Sequence, residues 1–320
     1  MVEISKDINK AKAILEVEDV VAIPTETVYG LAGNIFSERA VRKIFELKGR
    51  PFYNPLIVHT YSLDQLERFV RYIPEKAKRL AEAFWPGPLT LILPKKESVP
   101  SLITAGKDTV GIRIPNHPLT LELLSQLDFP LAAPSANTFG NISPTRPEHV
   151  KSYFEKTLSM VLDGGPCPKG IESTIVGFEG ENAVLYRLGS ISVEDIEEVI
   201  GPIEVKNKKE AAPDAPGMLS RHYAPSTTTY LVDDVLPFLE GVTYSKVGVI
   251  TFKEDRVHDK IKHVEILSPA ADLKQAAAEL YAAMHRLDAM DLDAIVAERF
   301  PQEGLGKSIN DRLERATKTK

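Results

Sequence analysis

Three stretches of this chain, far apart in sequence, carry side chains suited to one anion-handling site. They are Lys48-Gly49-Arg50 with Asn54, Ser135-Ala136-Asn137 with Ser143, and the later Arg187. Arginine forks two oxygens and lysine gives a point charge, while hydroxyls and amides fix orientation. No stretch supplies a Ser/His/Asp or Cys/His arrangement, and the seven histidines show no zinc-ligand spacing. Such a combination points to phosphate chemistry on a bound nucleotide. One substrate attacks another, and the protein positions and neutralises.

Other segments add candidates, each with a plainer reading beside it. Thr25 and Thr27 lie on one side of an extended segment just past the apolar run Val20–Ile23. Open α/β sheets bind ligands at such strand ends; the alternative is a strand-to-helix turn capped by Thr and Glu. Arg113 sits among buried-type residues and needs a partner, either a protein carboxylate or one on a substrate. His59 closes an apolar run and, taken alone, reads as structural. Ser173 opens a strand behind the glycine-rich stretch 164–170. Lys48 at a helix end also reads as a cap, and 133–145 also reads as an ordinary turn. Gly306-Lys307-Ser308 imitates a P-loop, but Pro301 stands where that motif needs glycine. Cys167 has no base beside it in sequence to activate a thiolate.

The elements that must position these residues follow from periodicity. Apolar runs at Val20–Ile23, Leu56–His59, Leu89–Leu93, Val110–Ile114, Leu131–Ala133, Met160–Leu162, Thr174–Val176 and Val184–Tyr186 predict strands. Amphipathic stretches 37–47, 74–84, 117–127 and 192–200 predict helices, the second stopped by Trp85-Pro86-Gly87-Pro88. Strands follow one another directly after residue 158, so residues 1–205 form an α/β domain with a mixed sheet. Residues 206–227 have a linker composition, yet Met218, His222 and Tyr223 are costly choices for a spacer. The linker is expected to lie on a surface. Residues 228–320 alternate strands (228–232, 247–251, 263–267, 293–297) with helices (271–287, 305–317), a smaller α/β domain with a parallel sheet.

A chain of 320 residues, 43% hydrophobic and 26% charged, is long enough for two cores. The net charge of −6 excludes a generally basic nucleic-acid coat but allows a local basic groove. One cysteine rules out an intrachain disulfide and fits a reducing compartment. The first residues lack the apolar stretch of a signal peptide, and no run is long enough to span a bilayer. The expected address is the cytoplasm.

Taken together, PTETVYGLAGN (24–34), KGRPFYNPLIVH (48–59), FWPGPLTLIL (84–93), VGIRIPNHP (110–118), APSANTFGNISPT (133–145) and LDGGPCPKGIESTIV (162–176) resemble the YrdC-like family. The linker APGMLSRHYAP (215–225) and the tail GLGKSINDRLERA (304–316) resemble its long two-domain form, the threonylcarbamoyl-AMP synthases. The resemblance implies a YrdC-like twisted mixed sheet followed by a Rossmann-like α/β domain. It implies that L-threonine, bicarbonate or CO2, and ATP give threonylcarbamoyl-AMP and pyrophosphate. Lys48, Arg50, Ser135 and Asn137 match the family's K-x-R and S-x-N and would be the catalytic set. With Asn54, Ser143 and Arg187 they would hold ATP. Thr27, His59, Arg113 and Ser173 would hold threonine and its carbamate, with Arg113 on the carboxylate. Mg2+ would ride on the phosphates, and His222 and Tyr223 would belong to a lid. A tRNA-modification transferase would act downstream, weak tRNA contact stays open, and no membrane is involved.

The chain departs from the family pattern at Leu219-Ser220, where a basic–aromatic pair is common, and at Phe139 and Leu188. Two rival readings stand beside the synthase. One is an RNA-binding module of the same fold, its cations on backbone phosphates. The other is a carbamoyl transferase acting on another substrate.

Overall fold

The computed structural model describes residues 1–206 and 222–317. Its first sheet contains β1 (Glu3–Ser5), β2 (Val21–Ile23), β3 (Gly30–Asn34), β4 (Ile57–His59), β5 (Leu89–Pro94), β6 (Thr109–Arg113), β7 (Leu131–Ala132), β8 (Met160–Leu162), β9 (Thr174–Glu179), β10 (Asn182–Arg187) and β11 (Glu204–Val205). The order is β1-β8-β2-β3-β7-β4-β6-β5-β9-β10-β11. Pairing is mixed, as expected: β4 runs parallel to β6, and β5 parallel to β9, while β5 and β6 are antiparallel. Helices α1 (Ile8–Glu16), α2 (Glu38–Lys48), α3 (Glu75–Phe84), α4 (Ser101–Thr104), α5 (Pro118–Ser125), α6 (Pro147–Phe154) and α7 (Val193–Ile200) accompany this sheet.

The second sheet contains β12 (Thr229–Val232), β13 (Val247–Thr251), β14 (Ile261–Ile266) and β15 (Ala294–Glu298), in the order β12-β15-β13-β14. Every pair in it is parallel, the Rossmann-like pattern. Helices α8 (Val235–Glu240), α9 (Leu273–Asp288) and α10 (Leu305–Ala316) connect and follow its strands. Among the described residues no helix is long and apolar enough to cross a membrane.

Local chemistry explains the elements that matter. Helix α2 starts at Ser37, whose hydroxyl accepts from Ala40 N at 3.1 Å, and ends at Gly49 in the left-handed region (φ 61°). Buried Ala40, Val41, Ile44 and Phe45 line its inner face. In the parallel pair β4–β6 the register sets His59 beside Arg113 at the carboxyl ends of both strands. An apolar cluster joins the two halves: Val28, Ile142 and Ile171 pack with Leu280, Tyr281, Met284 and Leu313.

The sequence reading leaves residues 24–34 as strand end and turn, whereas the chain doubles back there into β3, antiparallel to β2. Gly30-Leu-Ala-Gly-Asn has weak strand propensity. Tertiary packing overrides it. A Cβ at Gly30 would stand 3.1 Å from Ala133 Cβ, and one at Gly33 within 3.3 Å of Ile44, Ala40 and Val20 side chains, so glycine lets β3 lie close to its neighbours. The sequence reading also gives no expectation for α1, α4, α6, α8, β1 and β11. The linker expectation falls largely on residues 207–221, outside the described residues.

Candidate active site

Gly49's left-handed turn sends the chain away from α2 and places Arg50 inside the protein. The Arg50 guanidinium donates to Asn54 O at 3.1 Å, Asn54 Oδ1 at 2.6 Å and Pro55 O at 2.8 Å. Asn54 therefore fixes Arg50 through its oxygen, and its buried amide nitrogen has no hydrogen-bond partner among the described residues. Lys48 is spent differently. Its ammonium donates to the backbone carbonyls of Ser135 and Asn137, tying the end of α2 to the SAN loop. Asn137 Nδ2 donates to Thr138 O and Asn141 O, both at 2.8 Å, while its Oδ1 lacks a partner.

These loops meet β4, β6 and β9 around one cavity. Thr27, Arg50, His59, Arg113, Ser135, Ser173, Arg187, His222 and Tyr223 all border it. Lys48, Asn54, Asn137 and Ser143 stand just behind that wall. The scattered candidates thus converge on one enclosure, and the second group supports the first.

The hydroxyls are ordered by their bonds. Thr25 donates to Val28 O at 2.6 Å, so the 2.8 Å contact between Thr25 and Thr27 has Thr27 as donor. The Thr27 oxygen keeps lone pairs for a ligand N–H. Ser173 Oγ lies 2.8 Å from Thr90 Oγ1 and accepts from Arg187 Nη2 at 3.0 Å. Arg187 also donates to Ser173 O at 3.1 and 2.8 Å.

Arg113 finds the protein carboxylate that sequence reasoning allowed. Its Nη2 stands 2.8 Å from Glu26 Oε1, both side chains deeply buried. The two atoms are out of hydrogen-bond alignment, and neither has another hydrogen-bond partner among the described residues. Glu26 Oε2 is held by Asn116 N at 3.0 Å, and Arg113 Nε donates to Gly87 O at 3.3 Å. The Arg113 fork therefore retains donor capacity toward the cavity it borders. Burial, and then the Arg113 charge, push His59 down to about 3, so the imidazole is neutral. Its Nδ1 donates to Ile57 O at 3.2 Å, which leaves Nε2 as an acceptor.

The cations press on one another. Burial, then Arg187, lowers Arg50 to about 9. Burial, then Arg50, lowers Lys48 well below the usual ammonium range, and burial likewise lowers Arg187. His222 is held neutral by burial and by Arg50, Lys48 and Arg187. A bound polyanion relieves this repulsion, which makes the enclosure a prepared anion site.

His222 and Tyr223 arrive from beyond the linker. Ala224 N donates to Gly140 O at 2.8 Å, docking the segment on the SAN loop. The His222 ring stands edge-on to Phe139 (5.8 Å) and Tyr223 (4.2 Å). Among the described residues, the buried His222 Nδ1 and Tyr223 hydroxyl have no hydrogen-bond partners. Tyr223 holds a left-handed backbone (φ 63°), a strain tolerated because neighbouring contacts fix it.

Sequence reasoning missed Glu26 and Glu172 as site residues. The second accepts from Ser143 Oγ at 2.6 Å and borders the cavity. Both carboxylates lay inside quoted motifs, but a search for anion-binding types passes over acids.

Comparison with known proteins adds an independent result. Residues 13–189 match the family model Sua5_yciO_yrdC, described as Telomere recombination. Residues 191–317 match the model described as Threonylcarbamoyl-AMP synthase, C-terminal domain. A Bacillus subtilis protein named threonylcarbamoyl-AMP synthase is 42% identical over 319 residues, covering 97% of this chain and 92% of that protein. A Pyrococcus abyssi protein of the same name is 41% identical, covering 93% and 90%. The crystal structure of P. abyssi Sua5 complexed with L-threonine superposes with a TM-score of 0.90 at 38% identity, over 99% of this chain and 97% of that one.

Proposed function

The chain belongs to the threonylcarbamoyl-AMP synthase family, and from that membership we infer what the cavity does. The protein is an enzyme that makes L-threonylcarbamoyl-AMP from L-threonine, bicarbonate or CO2, and ATP, with release of pyrophosphate. The product serves threonylcarbamoyl-adenosine modification of tRNA, so a tRNA-modifying transferase must consume it. We place the reaction in the cytoplasm, where these substrates meet.

The observation that supports this reading is the convergence of Arg50, Arg113 and Arg187 with Ser135 and Ser173 on one enclosure. Arg113 takes the threonine carboxylate bidentately, with the donor that faces Glu26 turned to the substrate. The Thr27 oxygen and neutral His59 Nε2 accept from the threonine nitrogen and hydroxyl. The amine adds to CO2, and a carbamate oxygen then attacks the α-phosphorus while pyrophosphate leaves. No nucleophile from the enzyme is needed. Arg50 and Arg187 offset the charge that crowds on the phosphates, and Ser135 and Ser173 orient the reacting groups. Lys48, Asn54 and Asn137 hold those loops in place, and Ser143 does so through Glu172.

A divalent cation such as Mg2+ would be carried by the ATP phosphates and would help neutralise their charge. Among the described residues no group of three or more His, Cys, Asp or Glu could hold a metal. A hard divalent ion suits phosphate oxygens and water. His222 and Tyr223, in the described end of the 206–227 linker that joins the body (1–205) to the second α/β domain (228–320), line the cavity and serve as its cover. A cover limits water's access to a labile anhydride.

Pyrophosphate release measured with each substrate omitted tests the reading. Release should require threonine and bicarbonate together. Threonine-independent release would remove the synthase. Tight, strongly salt-dependent RNA binding without it would favour the RNA-binding module.

A further inference from the structure

The second sheet's helices reach into the wall of the cavity through one carboxylate. Arg312, midway along α10, is fully buried. Its Nε donates to Glu172 Oε2 at 2.9 Å, its Nη2 to Leu188 O at 2.6 Å and its Nη1 to Asp311 Oδ2 at 2.8 Å. Its guanidinium carbon lies 5.0 Å from the centre of the Tyr223 ring. From α9, the Tyr281 hydroxyl donates to the same Glu172 carboxylate, 3.1 and 3.0 Å from its two oxygens. Glu172 directly precedes Ser173, and Leu188 directly follows Arg187. Arg312 therefore grips both neighbours of a bonded pair that borders the cavity.

We propose that Arg312 and Tyr281 are positioning residues for the synthase reaction: they occupy the Glu172 carboxylate, so that Arg187 keeps its charge for the ATP phosphates and Ser173 stays in register beside it. The proposal rests on the synthase reading for what the cavity holds. Burial pushes the Glu172 carboxyl up, but Arg312, then Arg187 and Ser143, outweigh it and hold the carboxyl below the ordinary range. The carboxylate is thus charged and already acts on Arg187. Deprived of Arg312, it would turn to the nearest remaining cation and compete with phosphate. Stability alone does not account for the arrangement, because a buried ion pair adds little over apolar side chains of equal volume.

Calorimetric titration of the full chain with ATP, and separately with threonine, provides the test. Arg312→Met should weaken ATP binding roughly tenfold, the size of one charge-assisted contact, and threonine binding far less. Tyr281→Phe should act in the same direction by about two- to threefold. Adding Glu172→Gln to either variant should restore most of the lost ATP affinity, since the competing charge is gone. A role confined to fold stability would shift the unfolding midpoint and leave the ATP affinity of the folded single variants unchanged. Unchanged ATP affinity in the single variants, or no recovery in the double variants, overturns the proposal. Should Arg312→Met not fold, Tyr281→Phe with and without Glu172→Gln decides alone. A wild-type protein that binds ATP but forms no threonylcarbamoyl adenylate would fail the synthase reading and leave this test intact.

Discussion

Arg113 is the residue on which the proposed threonine contact turns. Glu26 keeps it paired, in an ion pair that is close but poorly aligned for hydrogen bonding. A substrate carboxylate offers the bidentate geometry that Glu26 does not. Arg113→Ala should raise the threonine concentration for half-maximal rate roughly tenfold to a hundredfold, as expected for losing charged hydrogen bonds, while sparing ATP affinity. Steady-state kinetics with each substrate varied would check this; an unchanged threonine dependence would remove Arg113 from that role. At this scale the residue types were legible, because arginines and serines in loop motifs advertise anion handling. The division of labour was not. Lys48 looked like a phosphate contact, yet in the structure its ammonium lies on the carbonyls of Ser135 and Asn137. Spacing tells which loop carries a side chain, not whether the side chain faces the cavity or the loop behind it. Glu172 was hidden because its partners Tyr281 and Arg312 lie more than a hundred residues away.

Elements position the site through close backbone approaches. Gly170, two residues before Glu172, has φ 70°, and a Cβ there would meet Ala278 O at 2.3 Å and Ala278 Cα at 2.5 Å. Helix α9 can therefore rest on the loop that carries Glu172 and Ser173. Gly180 also has positive φ (62°), but nothing lies within 4 Å of its would-be Cβ. Gly170→Ala should cost about 2–4 kcal/mol, combining left-handed strain with overpacking, and Gly180→Ala only about 1 kcal/mol. Denaturant unfolding of both variants separates the terms; equal losses would mean that α9 does not press on this loop. The run Gly164–Gly170 was read as loop from its glycines, but no local pattern reveals a helix from the far end of the chain. Strand β3 escaped for the same reason, since its glycines serve neighbours rather than its own propensity. Strands that the apolar runs did predict, such as β4, β5, β6 and β9, place aliphatic side chains in the core.

Across the whole molecule, the two halves meet through shared apolar packing and a pair of histidines. His149 of α6 stacks on His285 of α9 with ring centres 3.9 Å apart. His285 Nε2 donates to Ser143 O at 3.2 Å. Burial, then His285, Arg146 and Arg286, lower His149 to about 3; burial lowers His285 to about 4, against smaller opposing effects of the Ser143 carbonyl and Asp288. The folded state therefore favours neutral rings, while the unfolded chain takes up protons near the ordinary value of about 6.5. Stability contributed here is present above about pH 6.5 and is lost as pH falls toward 4. His285→Gln, which keeps a donor for Ser143 and cannot titrate, should flatten the dependence of the unfolding midpoint between pH 7 and 5. An unchanged slope would place the sensitivity elsewhere. The two-sheet plan was legible from the sequence because strands and helices alternate differently on either side of residues 206–227. The joint between the sheets was not, since it is built from single residues on separate helices. The central claim is that loops of the first sheet let a carbamate displace pyrophosphate from ATP. Mass spectrometry after incubation with ATP, bicarbonate and threonine tests it most directly. The account predicts an adenylate whose mass contains threonine and one carbon from bicarbonate, formed together with pyrophosphate. Pyrophosphate and AMP without that adenylate, whether threonine is present or absent, would contradict it.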